Sequence, residues 1–123
     1  ITEPIPKILI EAPPMEKIVL LRKGLPCGCR FAFFREGKDP FIDIVEPGTT
    51  KGSALEFLVE RLGVKMSQVL AFGDTEIDIE MLRDSGLGVA MDNAAPAVKA
   101  AADYITASND DEGIAQVLEQ FLG

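Results

Sequence analysis

The chain predicts an α/β fold, and three observations carry that prediction. After Pro47-Gly48, segments of helical periodicity alternate with short runs that are apolar throughout. Runs of that kind suit parallel strands covered on both faces, the arrangement that helices on either side of a sheet provide. Before Pro47 the pattern differs: one helix-spaced segment sits among β-rich runs in the order β-α-β-β, an α+β piece. The break divides the chain into segments 1–46 and 47–123.

Each element has its own signal. Lys7 to Glu11 reads as a strand, stopped by Pro13-Pro14. Met15 to Lys23 is spaced as a helix, with Ile18, Leu21 and Leu25 on one face and Gly24 as its C-terminal stop. Arg30 to Arg35 and Phe41 to Glu46 are β-rich, and Glu36-Gly37-Lys38-Asp39-Pro40 between them predicts a hairpin with a five-residue loop. In the second run Ile42 and Ile44 alternate with Phe41, Asp43 and Val45, so one face is expected to be the less buried. Ala54 to Leu62 is an amphipathic helix with Leu55, Leu58, Val59 and Leu62 on one face, stopped by Gly63. Val69 to Phe72 is a short strand, Ile77 to Arg83 a helix stopped near Gly86, and Leu87 to Met91 a strand. Pro96 to Ala101 is a helix, Tyr104 to Thr106 a strand, and Glu112 to Leu122 a helix ended by Gly123. No internal repeat or low-complexity tract interrupts this series.

Composition narrows the function classes. Hydrophobic residues make up 47% of the chain, enough for a packed core. A net charge of −8 argues against nucleic acid, whose phosphates it would repel. Apolar runs of a few residues leave no membrane span, and no basic-then-apolar leader is present, so a cytoplasmic protein is expected. The start at Ile1 rather than Met raises the expectation of a processed or truncated product. With 0 histidines, the chain holds no His-based triad, imidazole base or His-ligated zinc. Cys27-Gly28-Cys29 reads as a reduced pair at a helix–strand junction: a disulfide over so short a span is strained, and two thiolates do not fill a zinc site.

The residues that point to chemistry cluster after Val69. Asp74 follows the strand Val69–Phe72, and Asp78 lies four residues on, one helical turn away on the same face. Ligands in open α/β sheets bind beyond the carboxyl ends of the strands, and paired carboxylates there suit a hard cation such as Mg2+. The plain alternative is capping, since acids are favoured near a helix start and Asp74 or Thr75 can serve as N-cap. Lys51 opens a helix behind Thr49-Thr50, where a cation is disfavoured. A phosphate met jointly by the lysine and the helix amides accounts for it, and a stem swinging into solvent is the alternative. Asn93 is placed to line the same crevice or to serve a turn. Asn109, before Asp110-Asp111-Glu112-Gly113, reads first as loop and capping chemistry.

The ordered series Thr50-Lys51-Gly52, Gly73-Asp74-Thr75-Glu76-Ile77-Asp78-Ile79-Glu80-Met81-Leu82 and Gly86-Leu87-Gly88-Val89-Ala90-Met91-Asp92-Asn93-Ala94 resembles the haloacid dehalogenase superfamily. Val98 to Asn109 and Asp111-Glu112-Gly113 fit its Cof-type phosphatases. The resemblance covers 47–123 as the C-terminal half of a Rossmann-like core, three strands with their helices, and 1–46 more loosely as the last part of an α/β cap. It implies hydrolysis of phosphate monoesters of sugars or other small metabolites with Mg2+. It further implies that Lys51 neutralises phosphoryl oxygens, that Asp74 binds the metal, and that Asp78 supports the lysine and the metal's outer shell. Catalysis of this type rests on positioning and electrostatics.

Two departures from the family pattern shape the expectations. The family's aspartate nucleophile and general acid/base lie in a DxD motif, and no two aspartates of the 123 residues are spaced by two. The family usually reads GDxxND, and Ile77 stands where that asparagine would. Losing its hydrogen bond costs about 1–3 kcal/mol. The expectation is therefore a phosphatase that is inactive as this chain alone and catalytic when joined to an N-terminal half. The alternative is a non-catalytic, degenerate module for protein association or ligand binding. In the family's sheet the Gly-Asp strand lies beside the nucleophile strand, so an apolar edge at Val69–Phe72 is expected to drive homo-oligomerisation or association with that half.

Overall fold

The computed structural model describes residues 7–11, 15–24, 30–36 and 39–123. They fall into two units, 1–49 and 50–123. Cys27-Gly28-Cys29, Pro13-Pro14 and Leu25 lie outside the described residues.

The first unit holds strand β1 (Lys7–Glu11), helix α1 (Met15–Gly24), and strands β2 (Arg30–Glu36) and β3 (Asp39–Val45). The strands form an antiparallel sheet in the order β1-β3-β2. Ile8 and Ile10 of β1 pair with Ile44 and Ile42 of β3. Ile42 and Ile44 are buried with Ile18 of α1, while Asp43 and Val45 are only half-buried. The alternation along β3 thus sorts its two faces as the sequence predicts. The hairpin is tighter than predicted. Glu36 pairs with Asp39, which leaves residues 37 and 38 as the connection instead of five. Among the described residues Pro40 has a register partner only in β2, Arg35, since the pairing with β1 ends at Phe41, and a proline is tolerated in such a position.

The second unit begins with helix α2 (Lys51–Leu62). Strand β4 (Leu70–Gly73), helix α3 (Ile79–Asp84), strand β5 (Leu87–Ala90), helix α4 (Pro96–Ala101), strand β6 (Tyr104–Ile105) and helix α5 (Gly113–Leu122) follow. The strands run parallel in the order β4-β5-β6, with Gly73 opposite Ala90 at the carboxyl end. Ala71, Leu82, Ala90, Ala94 and Val98 form one buried cluster, which joins β4, β5, α3 and α4. Pro96 at the first position of α4 suits a site whose amide has no helical acceptor. Gly63 ends α2 at φ 66°, a left-handed conformation that glycine adopts without a Cβ penalty.

Helix α2 starts at Lys51, as the Thr49-Thr50 cap predicts, three residues ahead of the periodic run from Ala54. Thr50 and Ser53 cap it reciprocally: Ser53 N–H donates to Thr50 Oγ1 at 2.9 Å, and Thr50 N–H to Ser53 Oγ at 3.0 Å. Of its expected apolar face only Val59 is buried. Leu58 and Leu62 are 51% and 66% exposed, beside exposed Phe57 and Val64. Helix α5 is similar, with Val117 buried and Ile114, Leu118, Phe121 and Leu122 exposed. Among the described residues, β4 pairs with β5 alone, and no helix is long and apolar enough to cross a membrane.

Backbone approach sets how closely α3 packs on β5. A Cβ on Gly88 would lie 2.2 Å from the carbonyl oxygen of Leu82, a clash with main chain that no rotamer relieves. Gly88→Ala is expected to cost more than about 2 kcal/mol, read as a lower urea midpoint. An unchanged midpoint would contradict this packing.

Candidate functional site

Strands β4 and β5 end level. Gly73 and Ala90 are register partners, and the Met91 amide donates to the Gly73 carbonyl at 3.0 Å. Asp74 and Asp92-Asn93 therefore leave the sheet side by side at its carboxyl edge, where α/β sheets place ligands.

The five residues from Asp74 to Asp78 fold back on themselves. Asp78 Oδ2 accepts from the Asp74 amide at 3.1 Å, the Thr75 amide at 3.0 Å and the Thr75 hydroxyl at 2.9 Å. These bonds tighten residues 76–78 into a 3-10 turn ahead of α3, where the sequence predicts a helix from Ile77. Asp78 Oδ1 accepts from the Lys51 ammonium in a close ion pair. Asp78 is only 1% exposed, whereas the lysine side chain is half-exposed. Gly73 makes the room: a Cβ there would sit 2.5 Å from Asp78 Cβ.

Lys51 reaches Asp78 because the Thr50–Ser53 cap fixes it as the first residue of α2, and α2 packs on the turn and on α3. At Gly52 a Cβ would lie 2.8 Å from Glu80 Cγ, so the missing side chain lets these elements close up. A cation at a helix N-terminus opposes the macrodipole, and the Asp78 carboxylate offsets that cost. Lys51 is thus held by the protein and does not swing free.

The carboxyl of Asp78 feels opposing influences. Burial pushes its pKa up, but the Lys51 ammonium pulls it down, and the Thr75 and Asp74 donors reinforce that. The net direction is downward, so Asp78 is a carboxylate at neutral pH. Asp74 is exposed, and its carboxylate has no protein partner among the described residues. Those residues contain no group of three or more potential metal-ligating side chains. Magnesium commonly keeps several waters and takes one or two protein carboxylates beside phosphate oxygens, so an open Asp74 next to an engaged Asp78 fits a partial Mg2+ site.

Asn93 stands apart from this trio. Its Oδ1 accepts the Asn109 amide at 3.1 Å, tying the turn after β5 to the loop after β6. It makes no hydrogen bond to Lys51, Asp74 or Asp78 among the described residues. Asn109 opens a 3-10 turn, in keeping with its loop chemistry. Thr75 and the Asp92–Lys99 ion pair at 2.8 Å escaped the sequence reading as site features. The Thr-x-x-Asp spacing from Thr75 to Asp78 was the available signal for the first, because that spacing lets side chain and backbone cap each other.

The sign of a pH effect follows. The folded-state pKa of Asp78 lies below its ordinary value of 3.8, so ionised Asp78 stabilises the fold above that value. The contribution is lost as pH falls through the lower, folded value. Urea midpoints measured from about pH 5 down to about pH 2 are expected to fall less steeply with acid in Asp78→Asn than in the unchanged protein. Identical slopes would contradict the assignment. At neutral pH the same substitution is expected to cost about 1–3 kcal/mol.

Comparison with known proteins places this geometry. The sequence pattern of the haloacid dehalogenase-like hydrolases matches residues 2–118. A phosphoglycolate phosphatase of Methanothermobacter thermautotrophicus is 40% identical over 82 residues, 67% of this chain and 37% of the relative. A 5-amino-6-(5-phospho-D-ribitylamino)uracil phosphatase of Escherichia coli is 44% identical over 81 residues, 66% of this chain and 30% of its own length. Among solved structures, a haloacid dehalogenase-like hydrolase from Bacteroides thetaiotaomicron superposes with a TM-score of 0.80 at 36% identity. That match takes in 98% of this chain and 45% of the other. The chain spans about a third of the length of the curated relatives it matches. It belongs to the haloacid dehalogenase-like hydrolases, among their Cof-type members.

Proposed function

We propose that this chain contributes one side of a phosphomonoesterase site that acts on sugar phosphates or similar small phosphorylated metabolites. The observation that carries the reading is the Lys51–Asp78 pair beside the open carboxylate of Asp74, at the ends of β4 and β5. Lys51 has ammonium protons beyond the one given to Asp78, and it stands at a helix N-terminus, a combination that attracts phosphoryl oxygens. Asp78, kept ionised, holds the lysine in place. Asp74 is the residue to hold Mg2+, with Asp78 in its outer shell; the ion supplies charge neutralisation on the phosphoryl group when bound. Asn93 is proposed to line the substrate side of this edge through its exposed carboxamide. Residues 1–46 are read as the closing part of a cap and 47–123 as the C-terminal half of the core. A reduced Cys27-Gly28-Cys29 fits a cytoplasmic setting.

No DxD motif occurs in the 123 residues, so the nucleophile is proposed to come from outside them. The side of β4 that has no strand partner among the described residues, and the exposed apolar residues of α2 and α5, fit docking of a further α/β piece, or of a second copy. Ile77 favours a second reading, a binding module without turnover, because an apolar side chain there offers no hydrogen bond to a phosphate.

Two measurements test this. The 123 residues alone are expected to hydrolyse p-nitrophenyl phosphate no faster than buffer; joined to a DxD-bearing N-terminal half, they are expected to gain activity that Asp74→Asn or Lys51→Ala lowers at least about 100-fold. A rate in the isolated chain that Lys51→Ala abolishes would refute the assignment of the nucleophile, and no rate in the joined protein would favour the binding module. In sedimentation equilibrium the isolated chain is expected to run as a dimer or larger. A well-folded monomer at high concentration would sink the docking proposal.

A further inference from the structure

The two oxygens of the Asp78 carboxylate are used differently. Oδ1 meets Lys51 alone, while Oδ2 gathers three donors, all from Asp74 and Thr75. Where the carboxylate sits is not dictated by the Asp78 backbone, because the first side-chain torsion has several staggered settings and the terminal one is broad. The two amides of the turn favour an acceptor on their side. The Thr75 hydroxyl is different. Among the described residues it and Lys51 are the only side chains that donate to this carboxylate. Thr75 is β-branched, which restricts its own rotamer, and it is half-buried. Ile77, in the same turn, has no polar group to donate.

We propose that Thr75 is a positioning residue: its hydroxyl fixes the orientation of the Asp78 carboxylate so that Oδ1 points at Lys51 and holds the ammonium at the first turn of α2. The use of Lys51 toward a phosphoryl group rests on the function proposed above, but the orienting role does not. A threonine that merely caps the turn would leave the Asp78–Lys51 geometry unchanged when its hydroxyl is removed, and would lower stability only.

Nuclear magnetic resonance on the full chain separates the two, with no need for turnover. In the unchanged protein the couplings of Asp78 are expected to report a single side-chain rotamer, and the Lys51 ammonium protons to exchange slowly enough to be seen. Thr75→Val keeps the shape and deletes the donor. It is expected to average the Asp78 rotamer and to speed exchange of the Lys51 ammonium by about tenfold, the equivalent of one hydrogen bond. Thr75→Ser, which returns the hydroxyl, is expected to restore both signals. A Thr75→Val protein with one Asp78 rotamer and unchanged Lys51 exchange would overturn the proposal, as would failure of Thr75→Ser to restore them. Should Thr75→Val not fold, the unchanged protein supplies the decision. A Thr75 hydroxyl proton protected from exchange and coupled to the Asp78 carboxyl carbon supports the role, and a freely exchanging one overturns it.

Discussion

A carboxylate buried without partners costs several kcal/mol, and the second unit is arranged around one that is fully compensated. Asp78 draws on four donors from two stretches of chain far apart in sequence, the turn after β4 and the first residue of α2. Each neighbouring feature answers to that requirement. Gly73 has no side chain because Asp78 occupies the space. The chain passes through a 3-10 turn before α3 because its first amides are bent back toward Oδ2. Lys51 is tolerated at the wrong end of the macrodipole because an anion faces it.

The same interaction links fold to chemistry. Parallel strands β4 and β5 finish in register, which brings Asp74 and Asp78 to the carboxyl edge of the sheet. The Thr50–Ser53 cap sets where α2 starts, and the close fit of Gly52 on Glu80 brings that start to the same edge. Electrostatic catalysis requires charges that need no rearrangement when the substrate arrives, and a lysine already held by a buried carboxylate meets that condition. Asp74 is exposed, and its carboxylate has no partner among the described residues.

Much of this was legible in the sequence because it is local. Alternating helical periodicity and short apolar runs mark β4 through α5 to within a few residues, and the Ile42/Ile44 alternation sorts the faces of β3. Spacing alone suggests only that Asp74 and Asp78 share a face, and the link of Asp78 to Lys51 is what the resemblance to the haloacid dehalogenase superfamily implies; the structure joins Lys51 and Asp78 in an ion pair. What escaped depends on neighbours that periodicity does not encode. Leu58 and Leu62 share a helical face with Val59, but spacing says only that they align, not that anything covers them, and both are exposed. Gly88 reads as an unremarkable strand residue until the carbonyl of Leu82 is found against its α-carbon. Thr75 looked like a capping candidate, and its hydroxyl turned out to serve a side chain three positions on. The hairpin loop of the first unit is shorter than predicted because Pro40 reads as a loop residue, whereas it pairs with Arg35 of β2 one position beyond Phe41, the last described partner of β1.

Lys51 and Asp78 act as one unit, and a double-mutant cycle on folding stability measures this most directly. Lys51→Met and Asp78→Asn, singly and together, isolate the energy between the two groups from what each contributes elsewhere. Because the lysine is half-exposed, solvent screening limits the coupling. A coupling of about 1–2 kcal/mol in favour of the pair is the predicted result at neutral pH. Additive effects, with coupling below about 0.3 kcal/mol, would contradict it.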